Sequence, residues 1–333
     1  MVAMRTRRIV GTTVELTELG FGGASIGNLY RETSDEDAQN AVDAAWALGI
    51  RYFDTAPHYG LGLSERRLGR ALARYPRDEF VISTKVGRLL VPNESRTGRD
   101  PEGFEVPDDY RRELDYSRDG ILRSVDASLE RLGLDRIDIV YVHDPDAISD
   151  DTGAQAAETL IELREQNIVR AVGVGSNSSA EIERLFDRTD SDVAMLAGRY
   201  TLLEQGALDD ALAAAERAHK SVVAVGVFNS GLLASDRPAA DATYNYAPAD
   251  RELIDRANRI ADVCEAHGVT LPEAAIAFAL AHPLVVGVAL GMRNAEQVER
   301  NVALYGKHVP AALWDDLREQ SLLRADAPIA SSR

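Results

Sequence analysis

Eight short apolar runs that alternate with amphipathic stretches predict a (β/α)8 TIM barrel, a single domain over residues 1–333 with an N-terminal β-hairpin and long loops at its C-terminal face. Alternation alone also suits a doubly wound sheet. Two further observations decide for the barrel: polar residues recur at the ends of many successive runs, as around a ring, and no G-x-G-x-x-G turn with a downstream acid is present. With 333 residues and 45% hydrophobic content the chain can bury a core of that size.

Arg7 to Leu16, with Gly11 near its centre, has the pattern of a small hairpin. Strands are expected over Leu19–Gly22, Tyr52–Asp54, Phe80–Thr84, Ile137–His143, Val169–Val174, Val193–Ala197, Val222–Val225 and Val285–Val288. The first helices are expected over Ser34–Leu48 and Ser64–Ala73, with Thr33-Ser34-Asp35-Glu36 supplying a cap and an acidic first turn. Two segments interrupt the repeat. Gly87–Asp119 is long, polar and rich in Pro, Gly and Arg, yet carries Phe104, Tyr110 and Tyr116, which predicts a lid instead of a solvated linker. Ser230–Asp250, with Tyr244 and Tyr246, is predicted to form another rim of the same pocket.

The formal net charge of −17 argues against a nucleic-acid or anionic-membrane partner, both of which need clustered Lys and Arg. Cys264 is the only cysteine, so no intramolecular disulfide can form, and its helical surroundings read as a buried structural thiol. Arg5, Arg7 and Arg8 lead into Gly11-Thr12-Thr13-Val14-Glu15-Leu16 instead of an apolar run, so neither a signal peptide nor a membrane span is expected, and the cytoplasm is the expected compartment. His219, His267, His282 and His308 lack paired ligand spacing, and no metal site is expected.

The segment Arg51–Gly60 is the richest in chemistry: an apolar strand ends in Asp54, and Tyr59 follows five residues later. A buried acid and a phenol at one strand mouth point to proton transfer. The next strands run into Lys85 and His143. Taken singly, Asp54 suits a turn cap, Lys85 a surface lysine and His143 a core histidine. Four such residues at successive strand ends are a different matter. His58, beside the tyrosine, is read as packing behind it.

Asp54, Tyr59, Lys85 and His143 in this order resemble the catalytic tetrad of the aldo-keto reductase superfamily, and the resemblance runs from Leu19-Gly20-Phe21-Gly22-Gly23 to Glu299-Arg300-Asn301. It implies hydride transfer between a nicotinamide cofactor and a carbonyl or alcohol carbon. Tyr59 would exchange the substrate proton, Lys85 would favour its phenolate, Asp54 would hold Lys85 charged, and His143 would steer the substrate oxygen. It also implies cofactor contacts. Ser176 and Asn177 would grip the carboxamide, Phe228, Asn229, Ser230, Gly231 and Leu232 the pyrophosphate, and Gly291, Arg293, Gln297, Arg300 and Asn301 the adenosine end. Gly22 and Gly23 would permit close backbone approach, while Ser176 or Asn177 could also cap the next helix. Many members have Gln where Ala197 stands, and commonly a stacking Tyr in the stretch Val225–Phe228.

NADP-specific members commonly carry Lys-Ser where this chain has Gly291 and Met292, and Arg where it has Gln297, so NAD is expected to be preferred over NADP. Arg293 and Arg300 are expected to stack on adenine or pair with Glu296 and Glu299.

Ala197–Leu203, Phe228–Gly231, Asp115–Ser117 and Val142–Asp146 are similar to the branch of aldose, L-fucose and pyridoxal dehydrogenases. That resemblance implies a small-molecule substrate, namely a sugar hemiacetal oxidised to a lactone. Pyridoxal, or a general aldehyde or ketone, is the alternative, and a monomer or weak homo-oligomer is expected. A non-catalytic nicotinamide-binding regulatory subunit would not need the four strand-end residues, and a metal-dependent hydrolase would need more strand-end ligands than Asp54 and His143.

Overall fold

The computed structural model describes residues 3–147, 150–245 and 247–329. Eight parallel strands close into a barrel in chain order. They are β1 (Leu19–Gly22), β2 (Tyr52–Asp54), β3 (Val81–Val86), β4 (Ile139–His143), β5 (Ala171–Ser176), β6 (Val193–Ala197), β7 (Ser221–Val225) and β8 (Val285–Gly291). Helices between them cover the outside, from Asp35–Ala47, whose first turn is capped by the Ser34 side chain accepting from the Asp37 amide, to Ala311–Glu319. The barrel predicted from alternation is therefore the fold.

Strand parity sorts the core into two layers, since successive side chains point to opposite faces. Phe53, Ile82, Val140 and Val142 pack outward against the helices. Tyr52, Tyr141, Met195 and Val223 fill the barrel interior, plugged from below by Ile9, Val14 and Leu16 of the hairpin Thr6–Arg8/Glu15–Thr17. By the same parity Asp54 follows Tyr52, Ser83 and Lys85 alternate with Ile82 and Thr84, and His143 follows Tyr141 on the interior face. Three of the four chemical residues thus point inward because of their register alone. β3 runs two residues past its expected end, so Lys85 lies inside the strand.

The long segment after β3 is an ordered cover. Arg88–Pro92 and Tyr110–Leu114 pair as an antiparallel ribbon, which its Pro, Gly and Arg content had concealed. Buried Arg112 bonds Asp100 at 2.5 and 2.8 Å and donates to the His58 carbonyl at 2.8 Å, tying the ribbon to the loop that carries Tyr59. Arg112→Ala would strand the Asp100 carboxylate, a loss of about 3–5 kcal/mol. The expected outcome is a lower melting temperature and a raised KM for substrate, with cofactor affinity retained; an unchanged KM would show that the ribbon does not cover the substrate.

The segment after β7 holds a smaller hairpin, Thr243–Tyr244 with Ala247–Pro248. Cys264 is buried, and its surroundings push the thiol up to about 12. Among the described residues, no single helix is long and apolar enough to cross a membrane and no cluster of His, Cys, Asp or Glu could hold a metal ion.

Candidate active site

A cavity of about 400 Å3 opens at the C-terminal mouth of the barrel, lined by Tyr59, Lys85 and His143. Tyr59 reaches it from a tight turn in which its amide donates to the Ala56 carbonyl and Gly60 and Leu61 take positive φ. Below, the Lys85 ammonium donates to Asp54 Oδ2 at 2.7 Å and to the Thr55 carbonyl at 2.9 Å. It also lies 4.7 Å from the centre of the Tyr59 ring. Ser83 donates to the other Asp54 oxygen at 2.7 Å, and Tyr52 and Tyr141 extend this chain of hydroxyls into the barrel. The structure thus brings all four residues into one contiguous group.

Electrostatics follow from this packing. Burial would discharge Lys85, but Asp54 and Tyr59 outweigh it and raise its pKa, so the ammonium persists. Burial acts on Asp54 in the opposite sense to Lys85's attraction, and the 2.7 Å contact with Ser83 as a further donor makes the ion pair the state we assign. For Tyr59, Lys85 lowers the phenol pKa in the expected direction, but burial raises it by more, so the net shift is upward. His143 is pushed well below the ordinary imidazole range, first by burial and then by Lys85, which leaves it neutral, with Nδ1 buried and unpartnered.

Of the predicted cofactor residues, Ser176 and Asn177 line the cavity, along with Ala197 and Val225. Neither caps the following helix: Ser178 does, accepting from the Glu181 amide, while Ser176 Oγ accepts from the Ser178 amide and donates to Asp146. Phe228–Leu232 follows β7 and Gly291–Asn301 begins at the end of β8, so both lie at the same end of the barrel but outside this cavity. Asn229 has a buried Oδ1 without a partner in a turn where Asn229, Ser230 and Gly231 all take positive φ.

Gly23 has an internal reason to lack a side chain, because a Cβ there would meet Ser64 Oγ at 2.6 Å and the Asp54 carbonyl at 2.7 Å. Gly22 is likewise pressed on the β8 backbone. Internal packing by itself favours glycine at both positions.

Arg293 and Arg300 do not make the expected pairs with Glu296 and Glu299. Arg293 donates to the carbonyls of Leu29 and Arg31 and to Thr33 Oγ1, and Arg300 donates to the Ala234 carbonyl. Gln297 accepts from the Arg293 amide at 3.0 Å, and Met292 and Asn301 are buried. Their local spacing permitted ion pairs, but folded neighbours offered carbonyls instead.

The two rims also need revision. Phe104 lines the cavity and Tyr116 is buried beneath it, donating to the His143 carbonyl at 2.5 Å, whereas Tyr110 is exposed. Tyr244 does not line it; it donates to Glu204 and accepts from Arg199, whose Nε bonds the Asn177 carbonyl. Tyr246 lies outside the described residues. His58, read as packing, is a cavity wall 5.5 Å from the His143 ring centre, and burial with Arg112 and Arg88 nearby lowers its pKa to about 2. Arg88, Glu102 and Asp144 also line the cavity and were missed. A charged residue one step beyond a strand end, as in Val142-His143-Asp144, was the available signal.

The fold and its cavity define a barrel oxidoreductase of the NAD(P)-dependent class. A model of the Aldo/keto reductase family matches residues 18–320, and the chain belongs to that family. It is 48% identical over 309 residues to D-threo-aldose 1-dehydrogenase of a Pseudomonas species, covering 92% of this chain and 94% of the relative. It is 36% identical over 339 residues to pyridoxal 4-dehydrogenase of Microbacterium luteolum, covering 96% and 98%. Among solved structures it is similar to aldo-keto reductase AKR11C1 from Bacillus halodurans in its holo form, with a TM-score of 0.76, 26% identity and 99% of each chain covered.

The residues present fit a nicotinamide cofactor: an amide and a hydroxyl stand at the cavity beside Tyr59, and the Asn229 turn has an unused buried acceptor.

Proposed function

We propose that this protein oxidises a cyclic sugar hemiacetal to the lactone and prefers NAD to NADP. The observation that carries the reading is the Asp54–Lys85 ion pair packed against the Tyr59 ring, beside neutral His143 at the wall of one cavity. The similarity to D-threo-aldose 1-dehydrogenase supports the sugar.

In this reading Ser176 and Asn177 hold the carboxamide, Phe228, Asn229, Ser230, Gly231 and Leu232 the pyrophosphate, and Arg293, Gln297, Arg300 and Asn301 the adenosine end. The bound cofactor supplies the hydride acceptor. The chain's own residues manage the proton and the orientation. His143, neutral because it is buried, can exchange a hydrogen bond with the anomeric hydroxyl without placing a full positive charge beside Lys85. Tyr59 takes the hydroxyl proton as the anomeric C–H bond gives up its hydrogen with both electrons, the C–O bond becomes a carbonyl, and the ring oxygen stays attached. In the reverse direction the protonated phenol donates, and burial keeps it protonated at neutral pH. Oxidation, which needs the phenolate, should therefore speed up with rising pH toward the raised Tyr59 pKa, and reduction should not.

Phe104 favours a second reading. Its ring lies within 29° of parallel to Tyr59, with centres 6.1 Å apart, and offers an aromatic face to a pyridoxal ring. Steady-state kinetics on aldoses, pyridoxal and simple aldehydes with both cofactors test the choice: the expected result is the highest specificity constant for an aldose. NAD should exceed NADP by at least about tenfold, since two cationic contacts to the 2′-phosphate are absent and Arg293 is already engaged. A higher constant for NADP would mean that Arg293 or Arg300 leaves its carbonyl partners. The net charge of −17 supports a protein free of nucleic acid and anionic membrane, and we assign it to the cytoplasm as a monomer or weak homo-oligomer.

A further inference from the structure

We propose that Asp144, held by Arg88, is a specificity-determining residue that binds the hydroxyl on the carbon next to the reacting one. The proposal rests on the sugar reading and adds the group that recognises the sugar. Its first support is position. Asp144 Oδ2 lies 3.6 Å from His143 Nε2, so the carboxylate stands beside the imidazole that faces the reacting oxygen. An ionised carboxylate accepts only, and a sugar hydroxyl is a donor that neither Tyr59 nor His143 is left to satisfy.

The second support is how the carboxylate is held. Arg88 Nη2 donates to Asp144 Oδ2 at 2.8 Å, and the rest of its guanidinium is confined at the cavity wall, with Nε buried and unpartnered. The Asp144 side chain keeps 35% of its exposure against 16% for Arg88, so Asp144 is the more open of the pair. Glu102, 3.9 Å from Arg88, adds a second carboxylate at the rim. A stabilising ion pair alone has no need of a cavity wall.

The third support is backbone strain. Asp144 has φ 43°, in the left-handed region, although it precedes Pro145, a neighbour that disfavours helical backbone. The strain, of order 1–3 kcal/mol, persists because the surroundings impose it. The Asp144 amide donates to the Gly175 carbonyl at 2.8 Å, and Tyr116 Oη donates to the carbonyls of His143 and Asp144. Gly87 makes room for that tyrosine, since a Cβ there would meet the Tyr116 ring at 2.2 Å. Three segments thus cooperate to turn one carboxylate toward Arg88 at the cavity.

The test compares an accepted aldose with its 2-deoxy analogue in the wild type, Asp144→Ala and Asp144→Asn, with cofactor binding measured by fluorescence as the folding check. The wild type should prefer the parent sugar by about 10- to 100-fold in specificity constant, the range for a hydrogen bond to a charged group. Asp144→Ala should lose the parent sugar selectively, bringing the ratio near one. Asp144→Asn suits left-handed backbone and keeps a hydrogen-bonding group without charge, so it should retain part of the ratio and serves where the alanine variant does not fold. Aldose turnover with no wild-type preference, or with equal losses on both sugars in the variants, overturns the role of Asp144 and leaves the sugar reading intact. A wild type that turns over no aldose overturns both.

Discussion

Tyr59→Phe should bind the cofactor as the wild type does and lose about two to four decades of turnover, the usual cost of removing a general acid–base group. The substitution deletes one oxygen. The ring keeps its place beside Phe104, with centres 6.1 Å apart, and close to Lys85. Lys85 keeps both of its acceptors, the Asp54 carboxylate and the Thr55 carbonyl, so no charge is stranded. A loss of turnover therefore reports proton exchange and not collapse of the site. Single-turnover rates with saturating cofactor measure it, and a variant within a fewfold of the wild type would sink the mechanism.

Lys85→Met should lose turnover on a similar scale, for a different reason. Burial already raises the Tyr59 pKa, and Lys85 is the group that opposes the rise; without it the phenol climbs further and phenolate becomes scarcer at every pH below its pKa. The oxidation profile should then move alkaline. An unchanged profile in the residual activity would remove Lys85 as the tuning group. This variant also leaves Asp54 buried without its cation, a penalty of about 3–5 kcal/mol. Asp54→Asn combined with Lys85→Met relieves that penalty, so the double variant should recover thermal stability while the turnover loss and the alkaline shift remain.

Much of the site was legible in the chain because strand parity is local. Tyr52 and Asp54, Ser83 and Lys85, Tyr141 and His143 are each two residues apart, so within each pair both side chains share the interior face. Closure in chain order then brings Asp54, Lys85 and His143 onto neighbouring strands. The Ser34 cap and the Thr6–Thr17 hairpin were legible for the same reason, since each is set by contacts within a dozen residues.

Other features depended on neighbours far apart in sequence. The ribbon Arg88–Pro92/Tyr110–Leu114 pairs across 17 intervening residues and is fastened to the His58 carbonyl by Arg112, 54 positions away. Arg293 found carbonyls more than 260 positions distant in place of the glutamates beside it. The direction of the Tyr59 shift is the plainest case. The chain announces an ammonium near a phenol, and that argues for a lowered pKa. How strongly the phenol is desolvated depends on every atom packed around it, and only the folded barrel with its cover fixes that number of atoms, which here makes burial the larger effect.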